Sequence, residues 1–199
     1  MKKSSFGTVI LPGNEAAQAV TAYTFENANL KATILDFGGI IQSLQTKDQE
    51  GNFDDIAMGF PTAQEYIEKH MYYGTVVGRV ANRIALGQFN LNGQQYQVEK
   101  NNNGKAALHG GFIGWGRKIW QAVEVTDNSI QLQYVSIDGE EGYPCQITAK
   151  VKYTFLENAV NVVYSATNDD QAGRDTLVNM TNHSYHSLPL HVTALIAHF

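Results

Sequence analysis

The chain has a single cysteine, Cys145, so it can build neither an internal disulfide nor, from thiolates alone, a zinc site. Charge is also scarce. Asp, Glu, Lys and Arg make up 17% of 199 residues, and 14 basic against 19 acidic side chains leave a net charge of −5. Without a basic stripe the protein has no electrostatic footing on a phosphate backbone, which argues against nucleic acid as a partner. No apolar run approaches the roughly 18 residues that cross a bilayer as a helix. The opening MKKSSFGTVILPG has two lysines but lacks the apolar core of a signal peptide. These absences lead to the expectation of a soluble cytoplasmic protein with no membrane partner. Heptads, repeats and low-complexity linkers are missing as well, so composition marks no domain boundary.

Glycine, by contrast, is plentiful: 18 residues against four prolines, in a chain that is 43% hydrophobic. Asn-Gly and Asp-Gly pairs punctuate short alternating runs, the signature of many strands joined by tight turns. The clearest hairpin runs from Gln88 to Val98. Phe89 and Leu91 alternate on one arm and Tyr96 and Val98 on the other, while Asn92-Gly93 suits a type I′ turn. A meander follows from Trp120 to Ala166. Ala122, Val123 and Val125 alternate unevenly and Thr126–Ser129 turns the chain. Ile130, Leu132 and Tyr134 then keep the period of two, as do Ile147, Ala149, Val151, Tyr153 and Phe155, and Val160, Val162, Tyr164 and Ala166 after the Glu157-Asn158 turn. Helical signals are few; Thr62–Glu65 fits a capping box with a turn or two behind it. The pattern predicts an all-β protein, mostly antiparallel, as a sandwich or curved double sheet.

Four segments carry chemistry that strand and turn do not explain. In Gly74–Ile84, Arg79, Asn82 and Arg83 interrupt an apolar run. They read either as a strand-end salt bridge or as Asn82 and Arg83 offering donors to a polar ligand. His109-Gly110-Gly111 suits a tight loop whose backbone must come close to something such as a ligand, or reads as a loop histidine hydrogen-bonded to backbone. Asp138–Pro144 places Glu140 beside Glu141. Two carboxylates are what glycoside hydrolysis uses, but adjacent residues point apart, and a polar turn is the simpler reading. His183 follows a strand-like run and has Asn and Thr groups beside it able to fix its ring orientation, a setting for a general acid or for a structural histidine. His186, His191 and His198 extend an H-x-x-H pattern without a carboxylate or thiol at ligand spacing, so no metal is expected. Cys145 has no base beside it and is not expected to act as a nucleophile.

Taken in order, Asp36–Gly39, Gly78–Ile84, Leu108–Gly111, Asp138–Pro144 and Asn179–Tyr185 resemble the aldose 1-epimerase (galactose mutarotase) family. The resemblance implies a large antiparallel β-sandwich with a sugar cleft on one sheet. It implies interconversion of the α and β anomers of aldohexoses such as galactose and glucose, within galactose metabolism, with no cofactor. Carried over by position, catalytic His183 is the proton donor to the ring oxygen and His109 lies beside the same part of the sugar. Asn82 and Arg83 hold its hydroxyls.

The sequence also departs from that family. After Tyr185 the family pattern continues with an aromatic residue, Asn and Leu, whereas this chain reads His186-Ser187-Leu188 and on to Phe199. Ile137 stands where proline is usual and Cys145 where glycine is usual. The expectation is a mutarotase-like sandwich over residues 1–185, incomplete at its C-terminal end, with a divergent tail over 186–199. The family's sugar-binding aspartate and general-base glutamate find no counterpart, so impaired turnover is expected. A non-catalytic carbohydrate-binding fragment is the alternative. An incomplete sandwich is further expected to expose strand edges and to self-associate.

Overall fold

The computed structural model describes residues 1–69 and 71–187. All but the first two residues of the expected tail, and with them His191 and His198, lie outside the described residues.

Two antiparallel sheets dominate. The first is a meander of β1 (Lys2–Val9), β2 (Gln18–Glu26), β3 (Leu30–Leu35), β4 (Ile41–Lys47) and β5 (Phe53–Asp55), each strand paired with the next. A short helix, α1 (Ala63–Glu68), follows. Thr62 caps it: the Glu65 amide donates to the Thr62 hydroxyl oxygen at 3.3 Å, as the capping pattern predicts. A run of small pieces comes next: β6 (Val76–Val77), β7 (Arg83–Ala85), β8 (Gln88–Leu91), β9 (Gln94–Gln97) and β10 (Ala106–Leu108). The second large sheet is β11 (Gln121–Val125), β12 (Ser129–Ser136), β13 (Ile147–Phe155) and β14 (Val160–Asn168), again in chain order. Finally β15 (Thr181–Asn182) returns to pair with β6.

The sheets bury one core between them. Phe25, Ala32 and Ile34 from the first meet Ile130, Leu132, Val151 and Phe155 from the second, with Phe25 and Phe155 stacked at 4.2 Å. On β13 every second residue is buried, because its other face looks to solvent. The first sheet is covered on both faces. Its reverse side, including Val20, Ala22 and Leu35, packs under Ala63 and Tyr66 of α1. Alternation is therefore blurred there, and these strands are harder to read from sequence.

The predicted hairpin is β8–β9. Leu91 faces Gln94 across a two-residue turn in which Asn92 and Gly93 have φ of 52° and 78°, the type I′ requirement. The uneven Ala122–Val125 stretch has a physical cause: the β11–β12 register shifts between Ala122 and Glu124, a bulge that flips the face on which later residues lie. Asp36–Gly39 stitches the sheets together, with Trp120 donating its amide to Asp36 O (2.7 Å) and Tyr153 its hydroxyl to Gly39 O (2.6 Å). Among the described residues no helix is long and apolar enough to cross a membrane.

Candidate active site

His183 is placed by backbone pairing. Thr181 and Asn182 lie against Val77 and Val76, and beyond them the His183 amide donates to Thr75 O at 2.8 Å while Gly74 donates to His183 O at 3.2 Å. Asn182 locks the exit from this strand. Its amide group donates to Gly74 O (2.7 Å), and its carbonyl oxygen accepts from the Ser184 amide (2.8 Å) and hydroxyl (2.5 Å). The Asn therefore orients the chain that carries His183 and not, as the sequence suggested, the imidazole. The ring packs among aromatic neighbours, Tyr72 at 5.6 Å and Tyr185 at 5.2 Å between centroids.

His109 reaches the same place from a different part of the chain. Its ring stands edge-to-face with that of His183, centroids 4.8 Å apart at 89°. It projects from a loop beyond β10, with its own backbone left-handed at φ 52°. Asn101 ties down the approach, accepting from Leu108 N (2.6 Å) and donating to Leu108 O (2.9 Å) and Gly111 O (2.6 Å). The two glycines after His109 have identifiable reasons. A Cβ on Gly110 would collide with the Gly78 carbonyl, and one on Gly111 with the Glu141 carboxyl group. What the backbone comes close to is thus the protein itself.

Asn82 is built into the His109 site. Its amide donates to His109 Nδ1 at 3.0 Å and its carbonyl accepts the His109 amide at 2.9 Å. A backbone N–H can only donate, so Nδ1 is the bare nitrogen, and neutral His109 carries its proton on Nε2. Protonating Nδ1 would turn that hydrogen bond into a clash of two donors. Burial, with the adjacent His183 and Arg83 adding to it, pushes His109 down to about 4. The Asn82 and Arg83 side chains are exposed, with Arg83 Nε donating to Asn102 Oδ1 at 3.1 Å and Nη1 to Asn82 Oδ1 at 3.4 Å. The four residues singled out from sequence therefore lie together.

The paired arginines have separate fates. Arg79 is only 1% exposed. Among the described residues it makes no ion pair; its guanidinium instead donates to the carbonyls of Ser136, Ile137, Pro144 and Cys145 and to the Ser136 and Thr176 hydroxyls. It is an internal strut for the Ser136–Cys145 turn. The paired glutamates diverge in the same way. Glu140 accepts from Tyr134 and Ser136 hydroxyls, each at 2.5 Å, and pairs with Lys118 at 2.9 Å. Glu141 instead points to the loop after His109, accepting the amides of Phe112, Ile113 and Gly114. Both carboxyl groups are engaged, on different sides, so they do not face one glycosidic bond. This supports the turn reading over hydrolysis.

Cys145 is buried, and burial pushes its thiol up, the opposite of an activated nucleophile. His186, exposed and bridged to Ala57, does not join His183, and among the described residues no three His, Cys, Asp or Glu side chains are grouped as metal ligands. Tyr72 escaped the sequence reading. Its ring touches both histidines, at 4.7 Å from His109, and burial raises its hydroxyl pKa. The sequence shows only the doublet Tyr72-Tyr73; the two lie at a turn, and Tyr73 packs on Phe60 at 5.3 Å and on Tyr185 at 5.2 Å without touching either histidine ring.

Comparison with known proteins gives the chain's family. A family model described as Aldose 1-epimerase matches residues 21–198. Galactose mutarotase of Sus scrofa is 42% identical over 172 residues, covering 86% of this chain and 48% of that protein. Aldose 1-epimerase of Escherichia coli is 30% identical over 163 residues, covering 81% of this chain and 46% of that one. In structure, a GalM/aldose epimerase homologue from C. elegans superposes with a TM-score of 0.76 at 31% identity, over 84% of this chain and 51% of that one. The chain spans about half the length of the curated relatives it matches.

Proposed function

The chain belongs to the aldose 1-epimerase family, and from that premise we propose that its histidine pair serves anomer interconversion of an aldohexose such as galactose or glucose. The observation that carries this reading is the edge-to-face contact of His109 and His183, with Asn82 and Arg83 beside it. In the proposed reaction a base takes the proton of the anomeric hydroxyl as His183 gives its proton to the ring oxygen. The C1–O5 bond breaks, the electron pair going to the protonated oxygen, and an open-chain aldehyde results. Rotation about C1–C2 followed by the reverse steps closes the ring on the other face, with no net change in protons or electrons and no cofactor.

His109 supports this assignment by what it cannot do. Held neutral, with Nδ1 occupied by the Asn82 amide, it offers a single Nε2–H donor for a sugar oxygen and is a poor proton source near neutrality. The acid role then falls to His183. Asn82 and Arg83 present exposed amide and guanidinium groups suited to hydroxyls. Glu140 and Glu141 are not candidates for the base, because both are committed to the scaffold. Loss of one acid–base partner costs about 10²–10⁴-fold.

Polarimetry of freshly dissolved α-galactose tests the reading. The chain is expected to hasten the approach to equilibrium, and His183→Ala is expected to lower that rate gain by about 10²–10⁴-fold or to the rate of buffer. A His183→Ala protein as active as the parent would remove His183 from the chemistry. A rise in melting temperature with galactose but no rate gain would favour sugar binding without turnover, which the commitment of both glutamates makes the second reading.

A further inference from the structure

We propose that Glu141 is a positioning residue for His109, holding the loop from His109 to Gly114 through its carboxylate and so fixing where the imidazole stands. The inference rests on the reading of His109 as a sugar-facing group. It starts from the backbone. His109, Gly110, Gly111 and Gly114 have φ of 52°, 90°, 124° and 60°. A chain this rich in left-handed residues forms no ladder, so its amides need partners from elsewhere. The N–H groups of Phe112, Ile113 and Gly114 converge on one carboxylate, at 3.0, 2.9 and 3.3 Å.

A second observation is independent of those bonds. A Cβ on Gly111 would enter the Glu141 carboxyl group and displace it, and the φ of 124° strains any residue but glycine. Glycine at 111 is thus the other half of the contact. Glu141 is itself anchored: its backbone is left-handed at φ 53°, its carbonyl accepts from Glu99 N at 3.2 Å, and Arg79 grips the carbonyls on both sides of its turn. Asn101 clamps Leu108 and Gly111. The loop bearing His109 is therefore pinned on one side by an amide and on the other by a carboxylate. The groups facing the imidazole itself are the Asn82 amide, His183, Tyr72 and Arg83. Glu141 acts on it only through the loop.

NMR of the 199-residue chain, with labelled backbone amides and histidine rings, tests this. In Glu141→Gln one carboxylate oxygen becomes an NH₂ that cannot accept. The Phe112, Ile113 and Gly114 amides should then exchange about 10-fold faster or more. The His109 midpoint, about 4 in the parent, should rise by about one unit as water reaches the ring. Glu140→Gln serves as the comparison. Its carboxyl meets Tyr134, Ser136 and Lys118, so it should lower the melting temperature and leave His109 and the three amides unmoved. Unchanged exchange and an unchanged His109 midpoint in Glu141→Gln would overturn the proposal, as would an equal response to Glu140→Gln. Should Glu141→Gln not fold, the parent decides. In the parent the Phe112, Ile113 and Gly114 amides should exchange more slowly than the exposed amides of the Asn92-Gly93 turn, and the His109 ring should show a single fixed environment; fast exchange of the three amides or a mobile His109 ring overturns the proposal. Polarimetry on the same samples keeps the two readings apart: an inactive parent would remove the anomerase reading and leave the test of Glu141 standing.

Discussion

His109 and His183 meet ring to ring at 4.8 Å, yet the chain holds them by different means. His183 extends a strand. Its neighbours pair with Val76 and Val77, and its own amide and carbonyl continue the pairing to Thr75 and Gly74. His109 also leaves a strand, its amide donating to Asn82 O where the β7–β10 pairing ends, but its own backbone is left-handed and the loop beyond it is secured by the side chains of Asn101 and Glu141 and by glycines that permit close approach. A strand spreads its support over many backbone bonds, each contributing little. A loop of this kind concentrates its support in a few contacts, so single substitutions there should be felt more.

The largest expected effect follows from breaking the loop side. Gly110→Ala would place a methyl on the Gly78 carbonyl at a φ of 90°. Overpacking costs about 1–3 kcal/mol and a left-handed alanine about 1–2, so a loss of about 2–5 kcal/mol is expected in chemical denaturation. The corresponding break on the strand side is Asn182→Ala. It removes the donor to Gly74 O and the acceptor for Ser184, while the β6–β15 pairing remains. About 1–2 kcal/mol is expected by the same measurement. A larger loss for Asn182→Ala than for Gly110→Ala would reverse the comparison.

A third test sharpens it through pH. His109 lies near 4 in the folded chain against 6.5 in its ordinary state. Between those values the unfolded chain binds the extra proton and the folded chain does not. Stability contributed by neutral His109 is therefore complete above about 6.5 and is lost as pH falls toward 4. Urea midpoints measured across that window should decline with acid, and the decline should be shallower in His109→Gln. An equal slope in both proteins would mean that another group titrates there.

How much of this was legible in the chain depended on what each residue faces. The β12–β14 meander could be read because one side of the sheet looks to water, and β13 alternates without a break. The first sheet could not be divided into strands in this way, since α1 covers the side that solvent would otherwise mark. At the site, His109, His183, Asn82 and Arg83 stood out as polar groups at breaks in apolar runs. That Arg79 is a buried strut while Arg83 is exposed was not readable: both sit in the same short motif, and only the Ser136–Cys145 turn folding over Arg79 separates them.

Local pattern by itself determined the all-β class, the Asn92-Gly93 hairpin, the Thr62 cap and the chemical identity of the histidine segments. These depend on turn chemistry and on a period of two, which act over a few residues. Tertiary structure alone decided which groups meet. It brought residue 109 against residue 183, set Tyr72 against both, turned Glu140 and Glu141 to different partners, and gave Gly110 and Gly111 their reasons. Those outcomes depend on contacts between segments far apart in the chain, and no spacing along the sequence encodes a distance across a folded core.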